Sequence, residues 1–392
     1  MKTILFVWEL GAGLGHAKPF AEIAKGFVDS GTQIYVAASE LLNAQIAFAG
    51  LDVTFVQAPS WPPHRHFGSQ TGEGGYLDIL ISIGFADPVK LGATVDGWLS
   101  LLDLIKPNVV VADHSPAAMV ACHIRHLPVI LAGTCFLMPP LDYDRFPPLK
   151  ADRAPVMPES RVFASAAKVS QTRGVEPPNN LADYFRAAGR FVFGIPELDP
   201  YAPLRREPLY LPPEGLASFI EPPVVPRIFL YLSAEMSGLD EFVQAIVQLG
   251  FPIEAYFGRD IAPLGRFLAL AGHTVHEKPP AFADVLMRAS HVISESGAYT
   301  SMNTLAAGRP LLGLVPHGEG EFNISTLEKL GTGRPMKSVN DERDIQKVLL
   351  SFIKDHTLQQ KARHWAKMIE MRRANSQNGR DAVTAAIHNA MQ

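Results

Sequence analysis

The chain has 392 residues, 47% hydrophobic and 19% charged, which leaves enough apolar side chain for two sizeable cores and excludes a mainly disordered polymer. Its 35 basic against 39 acidic residues give a formal charge of -4, so there is no broad electrostatic footprint for nucleic acid and any anionic ligand must be held locally. Its cysteines, Cys122 and Cys135, make neither a disulfide framework nor a zinc pattern, and a reducing, cytoplasmic setting fits them.

The run from Thr3 to Trp8 is solidly apolar and predicts a buried strand, since Glu9 and the glycines after it end the run too early for a signal peptide. Phe20, Ile23, Ala24 and Phe27 then repeat at helical spacing. The alternation continues with QIYVAAS, LLNAQIAF, LDVTFV, a long helical stretch ending at Ile105, the strand NVVVAD, a helix over 117–125 and the strand PVILAG. Strands alternating with helices predict a parallel sheet covered on both faces. From Pro139 to Pro226 prolines become frequent and periodicity fades, and YLPPEGLASFIEPPVVP reads as a linker. The pattern restarts with RIFLYLS, a helix over 239–249, PIEAYF, HVIS, a helix over 298–307, PLLGLV and a helix over 321–330. Two or three helices rich in Ala, Lys, Arg and Gln follow from Asp341. The predicted division is therefore a first domain over 1–212, a linker over 213–226 and a second domain over 227–392 that includes the C-terminal helices. No segment approaches the roughly 18 uncharged apolar residues of a membrane span, which leaves only peripheral membrane contact open.

In the second half HVIS ends a strand, SESGA is a small-residue turn, and the next helix is closed by Gly308 and stopped by Pro310. The amides and positive dipole end at that helix N-terminus suit a diphosphate; Gly297 removes a side chain that would block close approach, and Thr300 adds a hydroxyl. The same turn is also an ordinary strand-to-helix connection. The stretch VISESGAYTSMNTLAAGRP resembles the donor-binding signature of the GT-B nucleotide-sugar glycosyltransferases, family 1 included. Within it SGA, Thr300 and LAAGRP are especially similar to the family that adds N-acetylglucosamine to lipid I. The resemblance implies an α/β chain of GT-B fold, two doubly wound Rossmann-like domains facing a central cleft, with the acceptor in the first and the nucleotide sugar in the second. It places Ser296, Gly297, Ala298 and Thr300 on the diphosphate, and Asn303 on the ribose, where the family usually has glutamate. Glu295 stands where the family often has a basic residue, and a carboxylate beside phosphates is unfavourable, so it is expected to point away. Ser233 and Ser237 lie on a loop near the phosphates, and His276 of HEKPP lies where the family's backbone holds the base. In PHGEGEFN, Glu319 and Gly320 fall on the family's sugar-gripping acidic-glutamine pair. Glu319 or Glu321 then accepts bonds from sugar hydroxyls, or both form a solvated acidic helix start.

In the first half, ELGAGLGHAKPF joins the first strand to the first helix, with Pro19 in the opening turn. A dinucleotide fingerprint would need glycine at the position of His16, which argues against NAD. Glycine-histidine followed by proline instead resembles the family 1 acceptor domain, where such a histidine deprotonates the acceptor. An imidazole with a reference pKa of about 6.5 is ready to take a proton near pH 7. It needs an orienting carboxylate, and Asp113, ending NVVVAD on the same sheet edge, is the expected partner. The alternative is that both residues merely cap helices. Gly15, Trp61 and Phe67 are candidate acceptor contacts on loops at the carboxyl edge of the sheet, where ligands bind in this architecture. Neither Asp142-Tyr143-Asp144 nor His64-Arg65-His66 has the setting of a metal site, so no metal is expected, and no cofactor beyond a nucleotide sugar as co-substrate. The resulting reading is an inverting, metal-independent transferase that moves a sugar from a nucleoside-diphosphate sugar, UDP-sugar foremost, to a hydroxyl of a small-molecule or lipid acceptor. A GT-B epimerase or hydrolase, or a non-catalytic nucleotide-sugar binder, are the alternatives.

Overall fold

The computed structural model describes residues 2–10, 13–59, 61, 75–143, 145–149, 154–234, 236–258, 262–314, 318–336 and 342–392. It divides into two compact units, residues 1–214 with 377–392, and residues 215–376.

The first unit runs β1 (Thr3–Trp8), α1 (Leu14–Ala24), β2 (Gln33–Ala38), α2 (Leu41–Ala47), β3 (Thr54–Gln57), α3 (Tyr76–Ser82), α4 (Pro88–Ile105), β4 (Val109–Asp113), α5 (Pro116–Arg125), β5 (Val129–Thr134), α6 (Glu159–Gln171), β6 (Gly189–Phe193) and β7 (Leu209–Tyr210). All its strands pair in parallel, in the order β3-β2-β1-β4-β5-β6-β7. The interior strand β1 is buried throughout, and its alternate side chains enter different cores. Leu5 and Val7 pack with Trp98 of α4 on one face, while Ile4, Phe6 and Trp8 pack with Phe20 and Ile23 of α1 on the other. Strands covered on both faces read as unbroken apolar runs for this reason. Each such side chain contributes about 1.5–3 kcal/mol on burial.

The proline-rich stretch holds more structure than its sequence predicts. Helix α6 buries Val162, Ala166 and Val169, and β6 and β7 extend the sheet. The run GRFVF of β6 is short and stands between proline-rich loops, so periodicity alone does not reveal it.

The second unit runs β8 (Ile228–Tyr231), α7 (Leu239–Val247), β9 (Ile253–Tyr256), α8 (Ala262–Leu270), β10 (Thr274–Val275), α9 (Phe282–Arg288), β11 (His291–Ser294), α10 (Ala298–Ala306), β12 (Leu311–Leu314), α11 (Glu319–Lys329), β13 (Gly333–Met336), α12 (Glu342–Ile353) and α13 (His356–Arg373). Its parallel sheet has the order β10-β9-β8-β11-β12-β13. In the LAAGRP segment Arg309 is 1% exposed. Its guanidinium donates to the carbonyls of Leu286, Ala289, Ile220 and Ala307, closing the carboxyl ends of α9 and α10, where a cation is favoured. Burial pulls it down to about 10.

The end of the chain departs from the predicted division. The last helix, α14 (Gly379–Ala390), belongs to the first unit rather than to a second domain over 227–392. Val383, Ile387 and Met391 fill the core beneath β1, β4 and α1, and the Phe27 and His388 rings lie 4.8 Å apart. Its amphipathic pattern marks a helix without saying which core it completes. Among the described residues no helix is long and apolar enough to cross a membrane.

Candidate active site

The register of β1 on β4 pairs Trp8 with Asp113 at the carboxyl edge of the first sheet. Gly13, with φ 81°, precedes α1 and lets the helix begin at once. Gly15 and His16 therefore stand in its first turn, and Pro19 lies inside the helix rather than in its opening turn. His16 Nδ1 lies 2.7 Å from Asp113 Oδ2, with the side chains 14% and 5% exposed. A carboxylate oxygen accepts from whichever tautomer carries its proton on Nδ1, and in that tautomer Nε2 is the basic nitrogen. Gly133 of β5 makes room for this carboxylate, because a Cβ there would stand 2.4 Å from Asp113 Oδ1. Two rings stack with that of His16: Trp8 at 5.3 Å and 24°, and His114 at 6.3 Å and 29°. Burial, followed by the charge of His16, pushes His114 down to about 3. This residue has φ 42°, and its carbonyl accepts from the Leu10 amide at 3.1 Å.

Next to Trp8, the buried Glu9 accepts from the Ala117 and Ala118 amides at 3.0 and 3.1 Å in the first turn of α5, as a helix dipole favours. It also accepts from the Trp61 indole. Burial pushes its carboxyl up to about 8 against those donors. Trp61 is thus pinned by its polar edge, with its ring 6.1 Å from Phe85. Phe67, Asp144 and His64 to His66 lie outside the described residues. No group of three or more His, Cys, Asp or Glu side chains among the described residues is arranged to hold a metal.

In the second unit the turn between β11 and α10 is held in a left-handed conformation at Ser296, φ 57°. A non-glycine residue persists there only when its neighbours over-determine it. Ser294 Oγ accepts from the Ser296 amide at 3.0 Å, and the Ser296 carbonyl accepts from Ser301 Oγ at 3.0 Å and Asn323 Nδ2 at 2.9 Å. Gly297 caps α10 and is exposed; no described atom lies within 4 Å of where its Cβ would be. The first-turn amides of α10 have no acceptor further back in the helix, and Ala298 and Thr300 lie in that turn. Asn303 is committed elsewhere, accepting from the Ala217 amide and donating to the Tyr299 carbonyl, both at 2.8 Å. Glu295 adds to the upward push on the Tyr231 hydroxyl, after burial and Tyr256. Ser233 and Ser237 lie in the loop between β8 and α7, Ser237 exposed. His276 Nε2 lies 2.7 Å from Glu254, which also binds Arg288 at 2.6 Å. Helix α11 begins two residues earlier than predicted, so Glu319 and Glu321 both occupy its first turn, with Gly320 buried between them.

No family model matches the chain. A relative from Methanosarcina acetivorans described as an uncharacterized glycosyltransferase is 25% identical over 386 residues, covering 95% of this chain and 92% of the relative. The solved structure of the spinosyn rhamnosyltransferase SpnG complexed with thymidine diphosphate superposes with a TM-score of 0.67 at 16% identity, covering 98% of this chain and 99% of that one. The calicheamicin glycosyltransferase CalG4 gives 0.68 at 17% identity, covering 99% and 98%, and the glycosyltransferase VinC in complex with dTDP gives 0.62 at 15%, covering 100% and 99%. The fold is GT-B.

Within that GT-B architecture the structure brings His16 to Asp113, and Ser296, Gly297, Ala298 and Thr300 to one helix start. It ties Asn303 and His276 to partners inside the second unit. Sequence reasoning missed Glu9, His114 and Ser301 as supports of these two sites. An acid directly after a buried strand was the one legible signal; the others act through geometry that spacing does not carry.

Proposed function

We propose that the chain is a glycosyltransferase that moves a sugar from a nucleoside-diphosphate sugar to an acceptor hydroxyl, with inversion and without a metal. The observation that carries this reading is the 2.7 Å His16–Asp113 pair at the carboxyl edge of a parallel sheet. Asp113 orients the imidazole and stabilises its protonated form, and Nε2 takes the acceptor's hydroxyl proton. The oxygen bonds to the anomeric carbon as the bond from that carbon to the diphosphate breaks, so displacement from the opposite face inverts the centre. The nucleoside diphosphate departs against the amides at the start of α10 and the Thr300 hydroxyl, which meet its growing charge. The first-turn acids of α11, Glu319 and Glu321, accept from hydroxyls of the sugar. The first unit takes the acceptor, with Gly15 and Trp61 beside it, and the second takes the donor.

The donor is a pyrimidine nucleotide sugar: the motif resemblance favours UDP, and thymidine diphosphate is the nucleotide named in the SpnG and VinC structures. A thermal-shift panel of nucleoside diphosphates and their sugars tests the reading, since a ligand at about 100 times its dissociation constant stabilises the native state by roughly 2.7 kcal/mol. We expect a shift with UDP or thymidine diphosphate, and His16→Ala should abolish transfer while keeping it. No shift with any nucleotide, or transfer retained without His16, would overturn the proposal.

A further inference from the structure

We propose that Trp8 is a positioning residue for His16, its indole face carrying the imidazole and favouring the protonated ring that forms when the acceptor's proton is taken. The inference rests on the base role given to His16 above. The register that pairs Trp8 with Asp113 sets a flat ring and a carboxylate side by side on the sheet edge, and His16 meets both. Asp113 fixes its edge at 2.7 Å, and Trp8 fixes its face at 5.3 Å with the ring planes 24° apart. Trp8 is itself buried, 1% exposed, with its indole N–H donating to the Leu10 carbonyl at 2.9 Å. That bond orients the ring and ties it to the glycine-rich loop before α1.

A cation within about 6 Å of an indole face is attracted by the negative charge of the ring face. The attraction grows as His16 acquires its proton, so it acts on the charged state more than on the neutral one, which is the requirement for an effect on rate. The other groups around His16 do not duplicate it. The half-buried His114, whose ring also stacks with His16 at 6.3 Å, is neutral, pushed down by burial and by His16. Glu9, next to Trp8, is directed at the amides of α5. On α1 itself, Lys18 and Glu22 interact with each other, and Lys18 also with Glu214. Asp113 bonds the ring edge at Nδ1, leaving the ring face to Trp8.

The test is an NMR pH titration of the full-length chain that follows the His16 ring signals, assigned by their loss in His16→Gln. Trp8→Leu should lower the His16 midpoint by roughly half a unit to one and a half units, the span expected for losing a cation–π contact. Trp8→Phe, which keeps an aromatic face, should give an intermediate value, and it carries the test if the leucine variant does not fold. In transfer assays the acid limb of the pH profile should move with the NMR midpoint while the nucleotide-induced thermal shift stays unchanged. An unmoved midpoint in a folded variant overturns the role of Trp8. If His16→Ala retains transfer, the base assignment fails instead, whatever the titration shows.

Discussion

Adding one methyl group at Gly133 probes the proposed catalytic pair without substituting either member. In Gly133→Ala the new Cβ would stand 2.4 Å from Asp113 Oδ1 and 3.2 Å from its Cγ, with Met138 Sδ at 3.4 Å. The first distance lies far inside van der Waals contact, so the carboxylate must turn. It is 5% exposed and bonded to His16 through Oδ2, so turning breaks that bond. Overpacking of this kind typically costs about 1–3 kcal/mol of stability. A hydrogen bond to a charged group contributes about 1.5–3 kcal/mol, which, if the base loses all of it, slows transfer by about ten- to hundredfold. Chemical denaturation reads the first effect and initial transfer rates the second. The nucleotide-induced thermal shift should be unaffected, because the donor turn lies in the other unit. The decisive arm repeats Gly133→Ala in an Asp113→Ala background, where the clash has no partner and the added methyl should cost little. Wild-type rates in Gly133→Ala, or an equal stability loss in both backgrounds, would refute the reasoning.

Asn303→Ala should lower stability by about 1–3 kcal/mol, since it strands the Ala217 amide that the side chain now satisfies, and should leave the nucleotide-induced shift in place. A loss of nucleotide affinity at unchanged stability would return Asn303 to the ribose. Ending the chain after Asn378 removes Val383, Ile387 and Met391 from the first unit's core. At about 1.5–3 kcal/mol for each buried side chain, the loss approaches the roughly 5–15 kcal/mol that stabilises a whole domain. The truncated chain should therefore fail to fold its first unit, and a wild-type denaturation curve would place α14 elsewhere.

Much of this architecture is legible in the order of the residues. Apolar runs such as TILFVW and VVVAD read as strands, and their alternation with helical spacing implied parallel sheets covered on both faces. The turn SESGA ahead of a helix, with Gly308 behind it, marked the helix start on which the phosphate reading stands. Those signals are local, because periodicity, caps and glycines act within a few residues of one another. What a side chain touches across the fold is not local. Nothing in the spacing of Trp8, His16 and Asp113 shows that sheet register and an early helix start stack the first on the second and bond the second to the third. The same limit hid the return of α14 to the first core and the capture of Asn303 by Ala217. The sequence by itself determined many of the strands and helices, those of the proline-rich stretch excepted, and which residue types could do acid–base and phosphate chemistry. The tertiary structure decided which of them meet, because hydrogen bonds and ring contacts form between neighbours in space, whatever their separation along the chain.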